Sequence, residues 1–145
     1  MLVPAMGDIP YEARRMYLCI DAYQDGEMQG RFYNAFEAQE FRFRALMTLI
    51  RHVDELLDCT MLTQRCEERR TLLHCTAAHT RLYAREGWKN FQCPPGELAT
   101  FLLSISYRQN ATWQGEVVWV ENRKSSFFRS GLELFRMIDD VLLYQ

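Results

Sequence analysis

The stretch that decides the fold is residues 16–33, MYLCIDAYQDGEMQGRFY. Met16, Leu18, Ile20 and Ala22 alternate with Tyr17, Cys19, Asp21 and Tyr23, the period of two expected of a half-buried strand. Gln24-Asp25-Gly26-Glu27 supplies a tight turn, since Asp-Gly tolerates the left-handed backbone that a short hairpin needs. The chain returns with Met28, Gly30 and Phe32 on one face and Gln29, Arg31 and Tyr33 on the other. At a shift of 85 positions the scheme recurs: Phe101, Leu103, Ile105 and Tyr107 on one face, a turn at Gln109-Asn110-Ala111-Thr112, then Trp113, Gly115, Val117 and Trp119.

That shift lays residues 12–58 on 97–143 without a gap, with 12 of 47 positions identical. Background residue frequencies would give about three. Shared hydrophobic patterning explains apolar matches but not Gln24/Gln109, Gln29/Gln114, Arg44/Arg129, Arg51/Arg136 and Asp54/Asp139. An internal duplication accounts for them. After each hairpin the apolar period lengthens toward 3.6, giving a helical stripe at Leu46, Leu49, Ile50, Val53 and Leu57 and another at Leu134, Phe135, Ile138, Val141 and Leu142. Ser130 followed by Glu133 is a capping-box pattern at the second helix start. The first helix has Ala45 and Thr48 there, which leaves its start open as far upstream as 37–41.

These readings predict a single α+β domain over residues 1–145: repeat one at 12–58, an insert at 59–96 and repeat two at 97–143. The expected architecture is ββα-ββα, a four-stranded antiparallel sheet with both helices on one face. Leu62, Cys66, Leu72, Leu73, Ala77, Leu82 and Tyr83 have a loosely helical spacing, so the insert is expected to be partly helical until Gly87 and Cys93-Pro94-Pro95-Gly96 end it.

Composition narrows the function classes. With 145 residues, 48% hydrophobic and 25% charged, the chain can bury a core and is not of the disordered class. Its net charge of -2 lacks the basic excess typical of nucleic-acid or anionic-membrane binding. Repeat one carries -3, the insert +3 and repeat two -1, so the insert is the basic region. No stretch approaches the roughly 20 apolar residues of a membrane span, and residues 1–7 lack a signal-peptide pattern. Five cysteines, odd in number and without CxxC spacing, point to reduced thiols and a cytoplasmic location.

No G-x-S-x-G, P-loop, G-x-G-x-x-G or H-E-x-x-H occurs, so no catalytic residue and no cofactor is expected. Cys66, His74, Cys75, His79 and Cys93 are suitable zinc ligands by chemistry, but their spacing fits no common structural site, and no bound metal is expected. His74 beside Cys75 does not make a nucleophile and its base, because neighbouring helical positions point apart. Arg51/Asp54 and Arg136/Asp139 read as exposed helix pairs three residues apart. Arg44 and Arg129 read as turn-fixing or core-covering side chains, or as binders of an anion shared between the halves. Gly30 and Gly115 are expected to make room for a helix or a bulky neighbour.

The outer sheet face holds the candidate binding residues: Tyr17, Tyr23, Gln29, Arg31, Tyr33, Arg108, Gln114 and Val118, with Leu102, Ser104, Ser106, Glu116 and Val120 among them. That mixture is too apolar for plain solvent. It suits a homodimer interface, cover by the insert, a protein or small-molecule partner, or single-stranded nucleic acid stacked on aromatics and arginines, the last disfavoured by the net acidity.

The segments YRQNATWQGEVVW at 107–119 and FRSGLEL at 128–134, with Ile138-Asp139 and the upstream Gly30-Arg31-Phe32-Tyr33, resemble a functionally uncharacterised family of small hypothetical proteins from anaerobic Gram-positive bacteria. The resemblance covers both repeats and not the insert. It implies a bacterial cytosolic protein and brings no site residues with it. The functional expectation is a non-enzymatic binding or scaffolding module, self-associating as a homo-oligomer or joining a protein partner through the open sheet face. Single-stranded nucleic-acid binding on that face and a metal-dependent enzyme using the Cys/His-rich insert are the competing readings.

Overall fold

Strands β1 (Met16–Gln24) and β2 (Glu27–Asn34) form an antiparallel hairpin closed by Asp25 and Gly26, whose φ values of 53° and 76° are both left-handed. The structure, a computed structural model, describes residues 11–60, 63–73, 89 and 91–145. A short helix, α1 (Tyr11–Arg14), precedes β1; β3 (Phe41–Phe43) and α2 (Leu46–Thr60) complete the first half. The second half runs β4 (Ala99–Tyr107), a 3-10 turn (Gln109–Ala111), β5 (Gln114–Trp119), β6 (Lys124–Phe128) and α3 (Gly131–Tyr144).

The sheet has six strands in the order β3-β2-β1-β4-β5-β6, every neighbouring pair antiparallel, and this corrects the expected four-stranded ββα-ββα arrangement. Each half is βββα. The third strands are the two sheet edges, where the pattern is weakest: β3 is three residues long, and β6 is exposed at four of its five positions. Edge strands with one unpaired side need no alternating apolar face. The segment considered as an early start of the first helix is therefore partly β3, and α2 begins at Leu46, whose N–H donates to the Glu27 carboxylate at 3.2 Å. At the α3 start, the Ser130 hydroxyl accepts from Glu133 N, and the Glu133 carboxylate accepts from Arg129 N, both at 3.0 Å.

The pairing register is the same in both halves at a spacing of 85 residues: Ile20 lies opposite Gly30, which lies opposite Phe43, and Ile105, Gly115 and Phe128 line up likewise. Each glycine faces a neighbouring strand's backbone rather than the helix or bulky side chain expected. A Cβ on Gly30 would sit 1.9 Å from the Cys19 carbonyl oxygen, and one on Gly115 would sit 1.9 Å from that of Ser104. Next to these contacts the register slips in both β1 and β4, between Ile20 and Ala22 and between Ile105 and Tyr107. A bulge of this kind adds one residue to one strand and reverses the faces beyond it.

Before the bulges, Met16, Leu18, Ile20, Phe101, Leu103 and Ile105 point into the core with Leu49, Val53, Leu57, Leu134, Phe135 and Ile138 of the helices. Beyond them, Ala22 and Tyr107, expected to continue that face, are exposed, Tyr107 by 60%. Tyr23 and Arg108, expected on the outer face, turn to the helices instead. Tyr23 of the first half donates its hydroxyl to Asp139 on α3 of the second at 2.5 Å. Arg108 of the second half binds Asp58 on α2 of the first at 2.7 Å and the Thr63 carbonyl at 2.7 Å, with Asp54 3.8 Å away. Trp113 Nε1 donates to Asp54 at 2.8 Å. The matched aspartates are thus taken by the opposite half, while Arg51 and Arg136 stand exposed, which corrects their reading as helix-surface pairs. Among the described residues no helix is long and apolar enough to cross a membrane.

Two stability outcomes follow. Gly115→Ala forces a methyl group into a main-chain carbonyl and is expected to cost about 2–4 kcal/mol in urea unfolding, with Gly30→Ala similar. Asp54→Ala removes the acceptor of a buried indole and a charge 3.8 Å from the Arg108 guanidinium, for about 1–3 kcal/mol, whereas Arg51→Ala stays within about 0.5 kcal/mol.

Candidate functional site

Opposite the helices, the first half of the outer face is built from Tyr17, Cys19 and Asp21 on β1 and Arg31 and Tyr33 on β2, with Cys19 directly across from Arg31 and Tyr17 across from Tyr33. Arg31 is only 9% exposed. Its guanidinium grips the Asp21 carboxylate with two bonds of 2.8 and 3.0 Å, and donates to the Tyr33 hydroxyl at 2.8 Å and the Pro95 carbonyl at 3.1 Å. The Tyr33 hydroxyl in turn donates to Glu40 at 3.0 Å, and Glu40 accepts from Arg42. Charge alternates along this chain, so each member is satisfied by the next.

Residues 91–97 lie across this network as a strap. Phe91 packs edge-on against Tyr17 at 5.7 Å and parallel to Tyr33 at 6.4 Å. The Cys19 thiol donates to the Pro94 carbonyl at 3.5 Å, Gly96 N to Thr100 Oγ1 at 2.8 Å, and Glu97 N to Asp21 at 3.1 Å. Prolines have no N–H, so Pro94 and Pro95 present acceptors only, matching the donors beneath them. Cover by the insert, one of the expected fates of the outer face, is what this segment provides over the first half.

Beside the strap, Tyr33, Asn34, Glu37, Glu40, Arg42 and Phe91 line a cleft of about 590 Å³. Glu37 lies at its back, paired with buried His52 at 2.5 Å and accepting from Asn34 at 2.8 Å. Phe41 stacks on the His52 ring with centroids 3.7 Å apart. Its polar side chains already bond to one another: Tyr33 and Arg42 to Glu40, and Asn34 to Glu37.

The remaining candidates are dispersed. Gln114 clamps the turn before its strand, exchanging bonds with Gln109 N and O and reaching the Arg129 carbonyl. Gln29 is half-buried on β2 beyond the bulge. Val118 stays on the outer face, opposite Leu102 and Ser125. Arg129, just ahead of α3, pairs with Glu133 in its first turn at 2.8 Å, and Arg44 is exposed. Of the metal candidates, Cys66 sits beside Arg108 through a 3.2 Å main-chain bond, whereas Cys93 lies in the strap over β1. His74, Cys75 and His79, with most of the helical insert pattern, lie outside the described residues. Among the described residues, no three His, Cys, Asp or Glu side chains converge as a metal site. The strap network is what sequence reasoning missed. Its one signal was the Pro-Pro-Gly run, which reads as a terminator and equally supplies carbonyls that no neighbouring strand uses.

The Arg31 bonds hold the Asp21 carboxyl below its ordinary value of 3.8. Its contribution to stability is therefore complete above that pH and drains away as pH falls through the lowered folded value. Asp21→Asn is expected to lower the free energy of urea unfolding at pH 7 by about 2 kcal/mol, a gap from the parent protein that shrinks below pH 3.8. Parallel urea titrations from neutral to acid pH measure this, and a gap that stays constant across the acid range contradicts it. Set against family models, curated proteins and solved structures, the chain matches none.

Proposed function

We propose that the protein is a non-enzymatic binding module that self-associates through the outer face of its second half, the part that residues 91–97 do not cover. The supporting observation is Phe127, 75% exposed in the edge strand β6. It lies across from Glu116, beside a row in which Leu102, Val118 and Ser125 are aligned on neighbouring strands. A large ring at the margin of a half-buried aliphatic row is the composition that interfaces between identical subunits favour. A second copy brings the same row to meet it, so apolar surface is buried against apolar surface.

Strand binding by nucleic acid loses its support, because Arg31 and Arg108, which would have gripped phosphates, are bound to Asp21 and Asp58. The proposed setting is the cytoplasm, supported by the odd number of cysteines without paired spacing.

Light scattering or sedimentation of the purified chain at ~100 μM is expected to give a dimer or larger species, and Phe127→Glu or Val118→Glu to shift it toward monomer. A strict monomer at that concentration, or an assembly indifferent to both substitutions, rejects this interface.

A further inference from the structure

We propose that Cys19 and Cys93 are a disulfide-forming pair whose bond latches the strap onto strand β1. Cys19 is fully buried on β1, and its thiol points up at the strap, where Pro94 O accepts from it at 3.5 Å. Cys93 immediately precedes Pro94 in the strap, so it stands next to the carbonyl that the Cys19 thiol meets, and the two thiols are near enough for each to act on the other's titration. The partners are 74 residues apart in sequence. Of the other described cysteines, Cys59 belongs to α2 and Cys66 lies beside Arg108. Every other tie between strap and sheet is non-covalent: the Phe91 ring contacts, Pro95 O to Arg31, Gly96 N to Thr100, and Glu97 N to Asp21.

The chemistry is exchange with a small-molecule disulfide such as glutathione disulfide. Cys93, the more accessible thiol, loses its proton to solvent and attacks one sulfur of the small disulfide, forming a mixed disulfide and releasing one small thiolate. Cys19 then loses its proton, attacks the Cys93 sulfur and expels the second small thiolate. The protein pair gives up two electrons and two protons, and the small disulfide becomes two thiols. Burial pushes the Cys19 thiol up to about 12 and raises that of Cys93 as well, although Arg31 beside them pulls the other way. Both stay protonated near neutral pH, so closure is slow and needs sustained oxidation. In a reducing cytoplasm the latch is open and the strap is held by its hydrogen bonds alone. The inference is independent of self-association, because both sulfurs belong to one chain.

The full-length protein is equilibrated with glutathione disulfide, its remaining thiols are alkylated, and its peptides are mapped. The expected product is a single cross-link between Cys19 and Cys93, with Cys59, Cys66 and Cys75 alkylated. In that product, hydrogen exchange at the Gly96 and Glu97 amides slows by ~10-fold or more. A glutathione adduct held at Cys93 while Cys19 stays reduced, a bond formed elsewhere in its place, or unchanged exchange at Gly96 and Glu97 overturns the proposal. Cys93→Ser, a change outside the core, is expected to abolish both the cross-link and the slowed exchange while leaving the circular dichroism spectrum unchanged. Slowed exchange that survives this substitution also overturns it.

Discussion

The carbonyl of Cys19 occupies the place where a side chain on Gly30 would have to be, and the carbonyl of Ser104 does the same at Gly115. Most of the molecule is arranged around these two close approaches. They bring β1 against β2 and β4 against β5 where each pair slips by one residue, and the slip decides which way everything beyond it points. Tyr23 and Arg108 are sent to the helix side at equivalent positions, and each reaches an aspartate or aspartates on the helix of the other half. The sheet joins the halves through β1 and β4, and these polar ties join them again across the helix layer. Two small βββα units, each with little core of its own, are thereby made into one folding unit.

How much of this was legible in the sequence depended on whether a feature repeats along the chain or arises where distant pieces meet. The hairpins and helix stripes are periodic, so Leu18, Ile20, Leu134 and Ile138 declared their faces. The Ser130 cap is local, and it too could be read. A bulge is invisible to periodicity: strict alternation carried Tyr23 and Arg108 to the wrong face. The aspartates at 54 and 139 stood out only as identities. Their partners lie across the molecule, and no spacing on a helix could name them.

The edge strands were hidden for a different reason. A central strand must satisfy two neighbours and two faces, which forces a recognisable sequence, whereas Lys124-Ser-Ser-Phe-Phe128 satisfies one neighbour and leaves most of its side chains to water. The strap is more deeply concealed. Charge arithmetic drew attention to a basic insert opposite an acidic first half, but the contact that the structure describes runs on carbonyl oxygens of Pro94 and Pro95 meeting a thiol and a guanidinium. Backbone acceptors add nothing to a charge count, and so the strap could not be read from it.

A scaffold whose two halves share one register would ordinarily offer two equivalent outer surfaces, and a particle with two equivalent sticky surfaces grows into chains or sheets. Residues 91–97 cross only one of the halves, where Asp21 and Arg31 receive them; the corresponding positions in the other half are Ser106 and Glu116, which offer no such grip. Among the described residues, the chain is two-fold to its own core and one-sided to its surroundings. Two copies that met through that same face on both sides would make an isologous contact, which closes after two subunits, whereas a face present twice on each chain would let the contact repeat.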